Sequence, residues 1–340
     1  MERKMLAAVF EGEGNLILKE VPVPEVKKSD DVLLEVEAAS ICGTDVHILE
    51  VPPGHPANKG VILGHEYTGK ILEVGDAVTA FKQGDRVVVD PNITCGSCIY
   101  CKMGMPNMCE RMTTLGIFIN GGFARYSLVP AKTLHLISSD LPAELAVFAE
   151  PLSCVVNATG KLKVQPGENV VILGAGPIGL LFTQMFKASG AGKIIVSEVS
   201  EYRGKYAVES GATRLVNPAK ENLEEIVKQE TAIGSDVVVD AVGTLFKDAI
   251  RIVRKGGRIL LFGQNYKARS EIFQNDITRN EITILGSYIA KFTFPPAVKI
   301  IESGVLNLKK LITHRFSLKD IHKGIDLMRD KKAIKVVITP

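Results

Sequence analysis

Short apolar runs broken by Gly, Pro and Asp fill the first third of the chain. DVLLEVEAASI (31–41), YTGKILEVG (67–75), DRVVVD (85–90) and ARYSLVP (124–130) are rich in β-branched residues and bounded by turn formers, the pattern of short strands in a barrel-like domain. Near Leu141 the rhythm changes. LPAELAVFAEPLSCVVNAT (141–159) has helical spacing, and after it short apolar runs alternate with helix-length segments. The runs are NVVIL (169–173), KIIVSE (193–198), TRLV (213–216), DVVVD (236–240), RILLF (258–262) and ITIL (282–285). LLFTQMFKASGA and EYRGKYAVESGA lie between them, each ending near a Gly that closes a helix. Six strands with interposed helices predict an α/β doubly wound parallel sheet. From Ser287 onward the alternation is lost, so the tail is expected to rejoin the first domain.

Composition narrows the class. The 340 residues suit about two domains, and 46% hydrophobic with 23% charged residues describes an ordinary globular protein. A net charge of +3 is too small for nucleic acid or an anionic membrane to be the main partner. No stretch approaches the roughly 18 apolar residues of a membrane span. Glu11 and Glu13 interrupt the N-terminal apolar stretch too early for a signal peptide. A cytoplasmic location with reduced thiols is expected.

The first run of the alternating region leads straight into GAGPIG, Gly174 to Gly179. G-x-G-x-x-G alone is a weak signal, but a preceding buried strand and a following helix are the context that confirms it. Gly174 permits the tight turn, Gly176 lets backbone approach a pyrophosphate, and Gly179 lets the helix sit close to the sheet. Pro177 and Ile178 open that helix, whose N-terminal N–H groups attract phosphate. Glu198 follows Gly179 by 19 residues at the end of the second strand, where a carboxylate accepts from ribose hydroxyls and repels a 2′-phosphate. Arg203 could stack on adenine or pair with a 2′-phosphate. NAD is favoured over NADP.

Four of the six cysteines fall as C-x2-C-x2-C-x7-C at Cys95, Cys98, Cys101 and Cys109. A bacterial ferredoxin run begins the same way but ends C-x3-C-P. Four thiolates with no open position suit a closed tetrahedral zinc, which stabilises a loop and catalyses nothing. Cys42 in ICGTDVH, Cys154 in the helical EPLSCVVNAT, His65 and Glu66 in GHE, and Glu150 in AEP remain, and taken singly each has an ordinary structural explanation.

Together they carry a resemblance. GHEYTGKILEVGDAV fits the G-H-E-x2-G-x5-G-x2-V signature of zinc-containing medium-chain alcohol dehydrogenases. The order ICGTDVH, GHE, four-cysteine lobe, AEP, GAGPIG resembles that family along nearly the whole chain. The resemblance implies a GroES-like β-barrel catalytic domain (1–149 and 287–340, with a structural zinc lobe at 92–112) interrupted by a Rossmann NAD-binding domain (150–286). It implies two zinc ions per chain. One would be structural on the four clustered cysteines. The other would be catalytic on Cys42 and His65, with Glu66 and Glu150 sharing the remaining positions with water or substrate. Asp45 resembles the acid that bonds the ligand imidazole, and Thr44 and His47 resemble a hydroxyl-to-imidazole proton relay. Phe262, Gly263, Gln264, Ser287 and Tyr288 fall beside the nicotinamide by the same correspondence, while Cys154 matches no role and reads as buried filler. The family's oligomers make a homo-tetramer or homo-dimer the expected assembly.

A glutamate at 150 resembles the polyol (sorbitol) and threonine dehydrogenase branches, since the alcohol-specific branch has cysteine there. The leading expectation is a zinc-dependent, NAD-linked dehydrogenase of polyols or secondary alcohols. L-threonine 3-dehydrogenase is the nearest rival, sharing ICGTDVH, GHEY, SEVSEYR and ITHRFS. Many of its members carry tryptophan in the loop that here reads ILEVPPGHPANKG, and this chain has none. A non-catalytic nucleotide-binding protein with a zinc ribbon is the distant alternative, which would hold one zinc rather than two.

Overall fold

The computed structural model describes residues 3–340. By packing, the chain forms two units: Met1–Ser153 with Lys291–Ser303 and Ile312–Pro340, and Cys154–Ala290 with Gly304–Leu311.

The first unit is built on a seven-stranded sheet. Strands Ile312–Ser317, Lys335–Thr339, Asp31–Ile41, Glu66–Val74, Arg86–Val89 and Leu134–Leu136 follow one another across it, and Tyr126–Pro130 pairs with Asp31–Ile41 off that path. All four runs read from the sequence lie in these strands. Their inward side chains, among them Leu34, Ile41 and Ile71, form one core with Phe123 and with Ile321 and Ile325 of helix Ile321–Arg329. The pair Lys4–Phe10 and Leu16–Pro22 is antiparallel and was not among the predicted runs. Its second strand exposes most of its residues and has only Leu16, Ile17 and Leu18 as a continuous apolar stretch.

The second unit holds six parallel strands in the order Arg214–Val216, Ile194–Ser197, Val170–Leu173, Ser235–Asp240, Val253–Leu261, Thr283–Gly286. Each predicted run supplies one strand, and the sequence order 3-2-1-4-5-6 is that of a doubly wound dinucleotide fold. Val170–Leu173 and Ile194–Ser197 are buried throughout. Helices covering both faces of a parallel sheet demand this, and it makes such strands uniformly apolar. The division between the units falls after Ser153, so Glu150 belongs to the first unit and Cys154 begins the second.

Candidate active site

Two strands bring the candidate metal ligands together. Asp31–Ile41 and Glu66–Val74 are antiparallel with Ser40 opposite Glu66, so Cys42, just past one strand, meets His65, just before the other. Gly64 makes this junction possible. Its φ is +89°, and a Cβ there would lie 2.6 Å from the Phe123 ring. Cys42 leads into helix Gly43–Ile48, where the Asp45 carboxylate (Oδ2) accepts the Cys42 N–H at 2.9 Å. One sulfur, one imidazole and one carboxylate, from Cys42, His65 and Glu66, all lie within 4.8 Å of one another. Glu150 stands outside this tight group.

The electrostatics of the group suit a cation. Asp45 Oδ1 lies 3.6 Å from His65 Nδ1, and neither buried atom has a hydrogen-bond partner. Burial opposes protonation of His65, yet the charges of Cys42 and Asp45 outweigh it and hold the imidazole well above its usual range. Burial and the Glu66 charge push the Cys42 thiol up. Burial also carries the Glu150 carboxyl up to about 7, with His65 opposing and Glu66 reinforcing the shift. Protons are thus held where negative charge crowds a largely buried group of side chains. A divalent ion on sulfur, imidazole and carboxylate would replace those protons, and the donor set fits zinc.

Sequence reading missed two partners of this group. Lys335, on the tail strand, forms an ion pair with Glu66 Oε2, and the two side chains are 2% and 1% exposed. Ser40 donates its hydroxyl to the same oxygen at 2.5 Å. The sequence signal was a lone lysine heading the apolar run KVVIT. Thr44 Oγ1 lies 3.7 Å from Cys42 Sγ. His47, 55% exposed, pairs its Nδ1 with Glu50 at 2.8 Å.

The four clustered cysteines also converge, their sulfurs within 4.8 Å of one another. They sit in a lobe closed by the strand pair Asn92–Ile93 and Thr113–Thr114, and all are free thiols. Backbone N–H groups already point at the sulfurs: Cys98 donates to Cys95 Sγ and Cys95 to Cys109 Sγ, both at 3.3 Å. That arrangement fits a closed tetrathiolate.

In the second unit, strand Val170–Leu173 passes into helix Pro177–Ala188 through the glycine loop. Gly174 has φ +98°, and a Cβ on Gly179 would lie 1.9 Å from the Gly174 carbonyl oxygen, so neither tolerates a side chain. Glu198 binds back to this loop: its carboxylate accepts Ala175 N–H at 2.7 Å and Ser200 N–H at 2.8 Å. The Arg203 guanidinium lies 3.8 Å from where a Gly176 Cβ would project, and its buried Nε has no hydrogen-bond partner. Phe262 packs edge-on against Phe182 at 5.1 Å. Its backbone N–H and that of Gly263 donate to Asp240 O at 3.1 and 2.9 Å. Gln264 is exposed. Asn157, unread in the sequence, clamps the segment after the sixth strand, donating to Ser287 Oγ, Tyr288 O and Ile289 O at 3.5, 3.4 and 2.7 Å. Cys154 is buried.

Residues 28–139 match the family described as alcohol dehydrogenase GroES-like domain, and 177–303 match zinc-binding dehydrogenase. The chain is 34% identical to the L-threonine 3-dehydrogenase of Xanthomonas euvesicatoria pv. vesicatoria (strain 85-10), over 98% of this chain and 99% of that one. A Sinorhizobium meliloti 1021 structure, provisionally assigned as a zinc-binding dehydrogenase and bound to NADP, superposes with a TM-score of 0.94 at 33% identity, covering 100% of both chains. The 2R,3R-butanediol dehydrogenase of Bacillus subtilis superposes with a TM-score of 0.91 at 29% identity and 99% coverage of each. The relatives span both units and oxidise or reduce at CH–OH carbons, so the chain belongs to the zinc-containing medium-chain alcohol dehydrogenases, oxidoreductases acting on CH–OH groups.

Proposed function

We propose that the protein transfers hydride from a secondary alcohol or polyol to NAD, giving a ketone and NADH. The observation that carries this reading is the convergence of Cys42, His65 and Glu66 within 4.8 Å. These three would hold the catalytic zinc, with Glu150 beside it and Asp45 fixing the His65 tautomer, while Cys95, Cys98, Cys101 and Cys109 hold the structural ion. Bound zinc acidifies a hydroxyl and bound nicotinamide accepts hydride. The chain's own residues bind, orient and move the proton. The Gly174–Gly179 loop and helix N-terminus cradle the pyrophosphate, and Arg203 covers it. Thr44 accepts the proton of the substrate hydroxyl as it gives up its own, and His47 hands a proton on to solvent.

Removing His47 tests that route. His47→Ala is expected to lose rate mainly at low pH, where the proton is hardest to remove. Superimposable pH–rate profiles for variant and parent would exclude the relay.

The Glu198 charge supports NAD, because a 2′-phosphate would meet a carboxylate fixed by two backbone N–H groups. In Glu198→Gln, the ratio of kcat/KM for NAD over NADP should fall about tenfold, roughly 1.4 kcal/mol. An unchanged ratio would assign cofactor choice to other groups.

On substrate, the similarity to butanediol dehydrogenase favours a neutral diol or polyol. The threonine dehydrogenase relatives favour the second reading, L-threonine. That substrate brings a carboxylate needing a cation, and Lys335, the cation adjoining the metal group, is already paired with Glu66. NAD reduction should therefore run faster with 2,3-butanediol, sorbitol, xylitol or a simple secondary alcohol than with L-threonine. The reverse order would establish the second reading.

No helix among the described residues is long and apolar enough to cross a membrane. The six free thiols support a reducing, cytoplasmic setting. A homo-dimer or homo-tetramer is supported by strand Thr283–Gly286, which ends the parallel sheet with both terminal residues exposed and could pair with a second copy.

A further inference from the structure

Arg111 has no part in the mechanism above, yet it is bonded to the four-sulfur cluster. Its Nη2 donates to Cys95 Sγ at 3.5 Å and to Ser97 Oγ at 2.7 Å, reaching back from beyond the last cysteine to the turn that carries the first. Cys95 Sγ also receives the Cys98 N–H at 3.3 Å and the Ser97 hydroxyl at 3.8 Å. The sulfurs are thus unequal, and Cys95 has a cation among its donors.

We propose that Arg111 is a positioning residue for the metal of the lobe, pinning the Cys95 sulfur and shielding it from electrophiles. The inference rests on the reading that the four cysteines hold zinc. Four thiolates around a divalent ion carry a net charge of about −2. A guanidinium never loses its proton, and the two N–H bonds of its Nη2 amino group reach sulfur and hydroxyl together. Charge-assisted donation draws electron density from the sulfur lone pairs. Those lone pairs are what an electrophile attacks and what the metal needs. Arg111 therefore keeps the sulfur on the metal and lowers its nucleophilicity. It also ties the two ends of the lobe, 16 residues apart, to one another.

N-ethylmaleimide reads both effects. A metal-bound thiolate adds to its double bond, a C–S bond forms, the resulting carbanion takes a proton from water, and the zinc loses a ligand and is released. Zinc per chain is measured first on the intact protein, Arg111→Gln and Arg111→Lys. Release to a chromophoric chelator is then timed during alkylation, and peptide mass spectrometry orders the labelled cysteines. Arg111→Gln should release the lobe zinc about tenfold faster, the usual scale for loss of a partner outside the ligand shell. Cys95 should move forward in the order of labelling. Arg111→Lys, which keeps the charge but not the planar, pre-organised Nη2 amino group, should fall between. A lysine variant indistinguishable from the glutamine variant would remove the charge from the account and overturn the proposal. Equal release rates, or faster release with Cys95 still labelled in its original order, would also overturn it, the latter marking Arg111 as a mere brace of the loop. One zinc per chain, with the lobe cysteines alkylated at once, would sink the metal reading itself and this inference with it.

Discussion

Cys42→Ser is expected to leave one zinc per chain in place of two and to lower turnover by about a thousandfold or more. A metal acting as a Lewis acid contributes several kcal/mol to the barrier, and about 4 kcal/mol corresponds to three orders of magnitude. Serine would not mimic the ligand, because its hydroxyl stays protonated where a thiol ionises on the metal. The substitution should nevertheless leave the backbone intact. The Cys42 N–H, which Asp45 holds at 2.9 Å, is unchanged by it, and the side chain is removed from no packed apolar cluster. Elemental analysis beside steady-state rates decides the matter, with the four-cysteine lobe serving as an internal standard that should keep its ion. Two zinc ions retained with turnover within a factor of ten of the parent would mean that the chemistry does not depend on this sulfur.

The two metal candidates were legible in the sequence to different degrees, for a physical reason. A loop that wraps one ion must place its ligands within a few residues, so Cys95, Cys98, Cys101 and Cys109 announce themselves by spacing. Cys42, His65 and Glu66 come from two strands, and only the register that sets Ser40 opposite Glu66 unites them. Spacing carries no trace of register, and the family resemblance supplied what it could not. The six parallel strands were readable because burial on both faces demands continuous apolar runs. Leu16–Pro22 was not, since an exposed strand is held by hydrogen bonds to its partner more than by its own composition. Asn157 was missed because its worth lies in capturing backbone around Ser287–Ile289, some 130 residues away. Lys335 was missed for the same kind of reason: a strand lysine is ordinarily solvated, and its partner Glu66 lies 269 residues earlier.

Lys335→Met should therefore be among the most damaging substitutions available outside the metal ligands themselves. It removes one member of an ion pair that is almost wholly enclosed and leaves the Ser40 hydroxyl as the donor to Glu66 Oε2. Breaking a buried pair from one side costs about 3–5 kcal/mol, because the surviving charge keeps its desolvation penalty without compensation. Loss of the alkyl chain adds little, since methionine is of similar length, but the ammonium's contact with the Phe148 ring, 5.6 Å from the centroid, is lost as well. Two further measurements tie the loss to Glu66. Adding Glu66→Gln should restore part of the stability, because a neutral amide no longer demands a cation. Zinc should restore more: lysine and metal compete for one carboxylate, so without Lys335 the ion meets a ligand with no rival. Denaturant melts with and without a chelator should accordingly show a larger zinc-dependent gap in Lys335→Met than in the parent. If the chelated variant melts with the parent, or if Glu66→Gln lowers its stability further, the enclosed pair does not hold Glu66, and the carboxylate owes its place beside Cys42 and His65 to the strand register alone.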